Sequence, residues 1–239
     1  EVNIRFDEAL IAADRVVTFR GLVKELGNTH GYHATFMSKP FFAESGNGFH
    51  VHHSLWQDGK NLMADNGALS KLGRHYLAGL QKHMAEMSMV SATTPNAYRR
   101  RQPYTFCPIN NAWGVDNRTV GLRIILGADN AVRVEKRDGS ADCNPYLLVA
   151  LEIAAGLAGI ENELEPTAET TGNAYKEQQH QPIPTDLATA VALARESSLM
   201  AEVLGGDLLE ILIQQSEREI EFIANQVTPV EIERYLESF

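Results

Sequence analysis

Residues 39–56 read KPFFAESGNGFHVHHSLW, and the alternation inside them decides the kind of fold. Ser45, Gly46 and Gly48 supply turn residues, and then His50, His52 and His53 fall within four positions, followed by Ser54. Period-two alternation from Phe49 to Leu55 predicts a strand. It puts His50, His52 and Ser54 on one face and Phe49, Val51, His53 and Leu55 on the other. One face can pack while the other carries a ligand, since an imidazole suits a metal ion or, through its N–H, a phosphate. The same spacing fits a plain polar strand face beside a turn, so the neighbouring segments must decide.

Working outward, residues 1–6 have the pattern of a strand end, and Asp7 to Asn28 that of a helix carrying Leu10, Val17, Leu22 and Leu26. His33 to Met37 reads as a second strand. Asp58-Gly59 and Asn66-Gly67 predict hairpins or loops. Residues 67–90 read as one long helix with Leu69, Leu72, Tyr76, Leu80 and Met84 along one side. Residues 94–118 hold three prolines and four arginines with little periodicity, and an irregular segment of that length is usually functional. Thr119–Ile125 and Ala131–Arg137 read as two strands joined at Gly127 to Asn130. Asn144 caps a helix with Pro145 at its first position. After a polar loop at 165–184 the chain is helical: Thr185 starts one helix, Gly205-Gly206 breaks it, and Thr228 with Glu231 forms a capping box around Pro229. The sum is an α+β fold, strands mainly antiparallel and backed by helices, with a helical region over 185–239.

The 239 residues carry 44% hydrophobic and 22% charged residues and a net charge of −10. A nucleic-acid backbone would be repelled, so it is not an expected partner. Cys107 and Cys143 offer no disulfide framework, no apolar run reaches membrane-spanning length, and a cytoplasmic location is expected. The chain opens at Glu1 in what reads as the inside of a strand, which suggests a piece of a longer protein.

Four features can converge on one site: Glu1 with Phe6; the His50/His52/Ser54 face; the basic loop of Arg99, Arg100, Arg101 and Arg118, with Arg123 after it; and RVEKR at 133–137. On a strand, Arg133, Glu135 and Arg137 share a face, a carboxylate between two guanidiniums. A divalent ion held by carboxylates and ringed by arginines is how a site handles ATP phosphates. Arginine forks also grip a substrate carboxylate. Each feature has a plainer reading. Arg-Glu-Arg is more often a solvated face whose ion pairs are worth at most about 1 kcal/mol each, Arg99 to Arg101 can be a surface charge run, and Phe6 can be core.

Ordered blocks strengthen the first reading: HATFMSKPFF, SGNGFHVHHSLW, NAYRRRQPYTFCP, NNAWGVDNRTVGLRI, RVEKRDGSADCNPYLLVALEIAAGLAGI and VTPVEIERYLESF. Spread over nearly the whole chain, they resemble the catalytic domain of the glutamine synthetase family. The resemblance implies an antiparallel sheet backed by helices. Residues 1–239 would be part of that domain, without its first strands and without the family's small N-terminal domain. The implied activity is ATP-dependent ligation: the γ-carboxylate of glutamate takes the γ-phosphate of ATP, and ammonia or an amine captures the γ-glutamyl phosphate. Mg²⁺ or Mn²⁺ is the implied cofactor, ATP the co-substrate, and a ring homo-oligomer the implied assembly.

By motif, Glu1 resembles a ligand of one metal ion and His50 and Glu135 ligands of the other. Gly46 and Arg100 resemble the glutamate-holding residues, and Arg137 the arginine on the substrate's carboxylate end. Phe6 would stack on adenine, and His52 and Ser54 would touch the nucleotide. Arg118, Arg123 and Arg133 resemble the arginines that meet the phosphates, with Arg118 and Arg100 in catalytic roles. Three departures matter. Glu1 is the sole remaining ligand for its ion, so weak metal binding and no turnover are expected of this stretch alone. Phe106 stands where the family has a glutamate that helps take a proton from ammonium, which points to an amine acceptor. Ser45 replaces a family asparagine and Asn130 a family lysine. The competing reading is a family member without catalysis that serves a structural or regulatory role.

Overall fold

The computed structural model describes residues 1–238. It runs α1 (Ala9–Thr29), β1 (Val51–His53), β2 (Trp56–Gln57), β3 (Lys60–Asn61), β4 (Ala64–Asp65), β5 (Ala68–Leu69), α2 (Lys71–His83), α3 (Ser88–Ser91) and α4 (Pro95–Tyr98). There follow β6 (Trp113–Val115), β7 (Leu122–Ile125), β8 (Arg133–Lys136), α5 (Pro145–Glu161), α6 (Leu187–Glu196), α7 (Ser198–Leu204), α8 (Gly206–Ala224) and α9 (Pro229–Tyr235). The fold is α+β, as the sequence indicates.

The main sheet has the order β1-β8-β7-β6. Its first two pairings are antiparallel. The third, β6 with β7, is parallel over three residue pairs. The chain turns at Asp116 (φ 47°) and returns so that Gly121 and Leu122 both donate to the Ala112 carbonyl. The expected hairpins are both present, β2–β3 and β4–β5. Asp58-Gly59 and Asn66-Gly67 stand at positive φ, as a type I′ turn requires.

The inner sheet face follows the alternation. Leu122, Ile124 and Val134 are fully buried, with Phe49, Val51 and Leu55 packed against the same core. Helices α2 and α5 cover that face and meet through glycines. A methyl at Gly79 would lie 2.0 Å from the Ala155 carbonyl oxygen, and one at Gly156 2.0 Å from the Tyr76 ring. Gly79→Ala therefore forces two backbones apart. We expect a loss of about 3 kcal/mol, or a fall in Tm of roughly 6–12 °C for a domain of this size. A thermal melt within 2 °C of the parent, on the order of 0.5 kcal/mol, would contradict this packing.

Several boundaries differ from the sequence reading. Residues 1–6 and His33 to Met37 form no strand, because β1 and β6 end the main sheet without them. The expected 67–90 helix is broken into β5, α2 and α3; Ser70 caps α2 by accepting from Gly73 N. The chain turns again after His83, yet Met84, Met87, Met89 and Val90 all stay buried. In α1 the apolar stripe faces away from the core. Leu10, Val17, Leu22 and Leu26 are exposed, and only Ala13 and Val16 are buried. Ser197 adds a helix boundary, its side chain accepting from Met200 N. The Asn144 cap and the Thr228/Glu231 capping box form as expected.

Candidate active site

Strand β8 organises the site. Its register sets Glu135 opposite His52 on one side and Arg123 on the other, so these three share a sheet face with Arg133 and Arg137. Glu135 is buried at the centre. Its Oε1 lies 3.0 Å from His50 Nδ1 and accepts from Arg137 Nη1 at 2.7 Å, while Oε2 accepts from Arg123 Nη1 at 3.1 Å. Burial alone would raise its pKa, but the His50 hydrogen bond and the Arg137 charge outweigh it and hold the carboxyl at about 2. Glu135 is thus a fixed anion at neutral pH. Arg123 Nη2 also donates to Asp116 Oδ1 at 2.9 Å. Arg133 Nε donates to His52 Nδ1 at 3.2 Å. His52 is exposed on the strand, yet partial loss of solvent around the ring and the Arg133 charge outweigh the pull of Glu135 and lower the imidazole pKa to about 4, which leaves it neutral at neutral pH.

Arg100 reaches the same place from the loop after α4. It is 3% exposed, and its Nη2 donates to the carbonyls of Asp138 at 2.8 Å and Gly139 at 2.5 Å. Two glycines make room for it. A methyl at Gly46 would lie 2.7 Å from Arg100 Cγ; one at Gly48 would lie 3.1 Å from Arg100 Nη1 and 3.2 Å from His50 Nε2. The Arg100 guanidinium and the His50 ring therefore pack against bare backbone at Gly48, an approach that a side chain there would obstruct. Arg100, Arg123 and Arg137 each keep a buried Nε–H without a partner among the described residues, and an anion is the natural acceptor for such donors.

Other residues singled out from the sequence sit at the edge of this cluster. The Arg118 backbone is part of it, since its carbonyl accepts from Arg137 Nη2 at 3.3 Å, while its side chain is exposed. Phe106 is 67% exposed, at φ 60°, and its carbonyl accepts from the same Arg137 Nη2 at 3.5 Å. The Ser54 hydroxyl accepts from Trp56 Nε1. Phe6 is exposed, as is Glu1. Among the described residues no group of three or more His, Cys, Asp or Glu gathers as a metal cage. His50 and Glu135 alone supply one nitrogen and one ionised oxygen donor, a pair that suits a divalent ion.

A profile of the glutamine synthetase catalytic domain matches residues 1–235. The chain belongs to the glutamine synthetase family. Among curated relatives, a glutamate–isopropylamine ligase of Pseudomonas sp. is 38% identical over 243 residues, covering 99% of this chain and 53% of the relative. A glutamine synthetase of Methanosarcina mazei is 36% identical over 99% of this chain and 55% of its own length. Among solved structures, a GmaS complex with ADP superposes with a TM-score of 0.89 at 31% identity, covering 98% of this chain and 56% of that one. The chain thus spans about half the length of the curated relatives it matches. The fold is that of the family's catalytic domain, and the relatives are ligases that form C–N bonds.

In this glutamine synthetase-family chain, sequence reasoning missed what lies behind the sheet. Lys136 points inward from β8 and is 1% exposed, in contact with Asp138 and Glu152. A lysine alternating with site residues is the only signal for it, and on its own that reads as a solvated side chain. Tyr175 was also missed. Its ring packs on Tyr104 at 5.2 Å between centroids, and its hydroxyl donates to the Cys107 carbonyl at 3.1 Å. That pair braces the loop carrying Phe106.

Proposed function

We propose that the whole protein is an ATP-dependent ligase that joins the γ-carboxyl of glutamate to an amine, through a γ-glutamyl phosphate. The observation that carries this is the convergence of Arg100, Arg123, Arg137 and His50 around the ionised Glu135, with an aromatic residue, Phe106, on the adjoining loop. A buried arginine cluster with unmatched donors attracts anions, and two anions must be brought together here, a carboxylate and a triphosphate.

In this reading Arg100 and Gly46 hold the glutamate, and Arg137 its carboxylate end. Arg123 and Arg133 take phosphate oxygens. Arg118 meets the acyl phosphate, and an exposed side chain with no hydrogen bond among the described residues suits a group that engages only when charge develops there. His52, neutral, and Ser54 offer hydrogen bonds to the nucleotide, and exposed Phe6 offers a ring to adenine. His50 and Glu135 would hold a divalent ion, Mg²⁺ or Mn²⁺, with Glu1 as the ligand of another. Such ions neutralise phosphate charge. The γ-carboxylate oxygen attacks the γ-phosphorus and ADP leaves; the amine then attacks the acyl carbon and phosphate leaves with the bridging oxygen. The 239-residue stretch alone is expected to show no turnover, because among the described residues no group of three or more His, Cys, Asp or Glu gathers to hold an ion. A ring of subunits belongs to this reading, and the exposed leucines of α1 are surface that subunit contacts would cover.

An arginine cluster kept without an anion would be costly, which argues against an idle site. The full-length protein should release ADP only when a divalent ion, glutamate and an amine are all supplied. Across a panel from ammonia to branched alkylamines, the best acceptor should be an amine, by about 10-fold or more in kcat/KM. Ammonia as the best acceptor, or no ADP release with any of them, would end this reading.

A further inference from the structure

Behind the site, opposite the face that carries Glu135, lies a chain of buried polar groups. Tyr76 OH lies 3.0 Å from His53 Nδ1, and His53 Nε2 lies 2.8 Å from Glu152 Oε2. Glu152 Oε1 pairs with Lys136 Nζ at 3.1 Å, and Lys136 Nζ donates to Asp138 Oδ1 at 2.5 Å. Asp138 Oδ2 accepts from Ser91 Oγ at 2.8 Å and lies 3.7 Å from Arg101 Nη2. Lys136, Asp138, Glu152 and Arg101 are all at most 2% exposed. Two cations and two carboxylates thus balance in the interior.

Burying four charges is a poor way to stabilise a sheet, because well-packed apolar residues do so at least as well. What charges supply is placement. Its hydrogen-bonded link to the site runs through Asp138: the backbone carbonyls of Asp138 and Gly139 are the acceptors that orient the Arg100 guanidinium. The Asp138 side chain is held by Lys136 and Ser91, which restricts how its backbone carbonyl can be placed. The clamp is anchored in turn by Glu152 on α5 and His53 on β1.

We propose that Lys136 is a positioning residue: with Glu152 and Asp138 it forms a buried clamp that sets the orientation of Arg100, and through it the grip on the substrate carboxylate. This rests on the reading of Arg100 as a glutamate-binding residue. The clamp acts on the amino-acid substrate more than on the nucleotide, since among the described residues the side chains of Lys136, Glu152 and Asp138 make no hydrogen bond to Arg123, Arg133 or His52.

The test uses the full-length protein and steady-state kinetics. Lys136→Met with Glu152→Met removes one charge of each sign, leaves Arg101 with Asp138, and should fold with a Tm close to the parent's. The clamp predicts that this double variant raises the KM for glutamate by about 10-fold while the KM for ATP stays within about 2-fold. If it does not fold, Asp138→Asn, which keeps the carbonyl and loses the clamp, should show the same selective rise. Unchanged KM values in a folded variant, or an equal rise for both substrates, would overturn the proposal. Arg100→Lys is the comparator. If it leaves the KM for glutamate unchanged, the reading of the site falls and the clamp falls with it. If it raises that KM while the clamp variants do not, the clamp alone is wrong.

Discussion

Replacing Glu135 with glutamine in the full-length protein should lower kcat about 1,000-fold. The carboxylate is the one acceptor shared by His50, Arg123 and Arg137. An amide offers a single oxygen and turns two N–H donors toward guanidiniums, so one arginine loses its partner and rotates. The ion held with His50 would lose its only charged ligand on β8. Stability should fall by about 3 kcal/mol, as when one member of a buried ion pair is removed, so rates must be measured where the variant is still folded. Activity within about 5-fold of the parent, roughly 1 kcal/mol, would remove Glu135 from the centre of the mechanism.

Phe106→Glu should change what the enzyme accepts. Phe106 is largely exposed, its carbonyl lies beside Arg137, and Tyr104 and Tyr175 pack nearby. A surface substitution there should shift stability by no more than about 0.5 kcal/mol, so the effect on acceptors is read cleanly. A carboxylate attracts ammonium and can take its proton, which a phenyl ring cannot. The new charge is also costly beside an alkyl group. We expect kcat/KM for ammonia to rise about 10-fold and that for a branched alkylamine to fall about 10- to 100-fold. An unchanged ratio between the two would show that Phe106 does not line the acceptor path.

The polar face of the main sheet was more legible than the segments around it. Alternation alone put His52 and Glu135 on one sheet face with His50 beside them, because a strand pinned by a buried face has only one choice of which residues face outward. The same rule put His53 inward, though not its bond to Glu152. Local patterns failed where a partner decides the outcome. His33 to Met37 has strand character and no strand to pair with. The α1 stripe repeats at helical spacing, yet among the described residues nothing covers Leu10, Val17, Leu22 or Leu26. Lys136 is the sharpest case: its burial depends on Asp138 and on Glu152 in α5, and although one block of sequence holds all three, nothing in its pattern says that they meet. The Phe106 backbone at φ 60° was likewise hidden, since the loop is fixed by contacts such as the Tyr175 hydroxyl on the Cys107 carbonyl.

The acyl-phosphate route is the centre of this account, and an isotope test reaches it directly. Glutamate labelled with ¹⁸O in its γ-carboxylate is supplied to the full-length protein with ATP, a divalent ion and the preferred amine, and the released phosphate is analysed by mass. The acyl-phosphate route predicts one ¹⁸O atom in each phosphate, carried over from the carboxylate oxygen that attacked the γ-phosphorus. Amide formed together with unlabelled phosphate would contradict it.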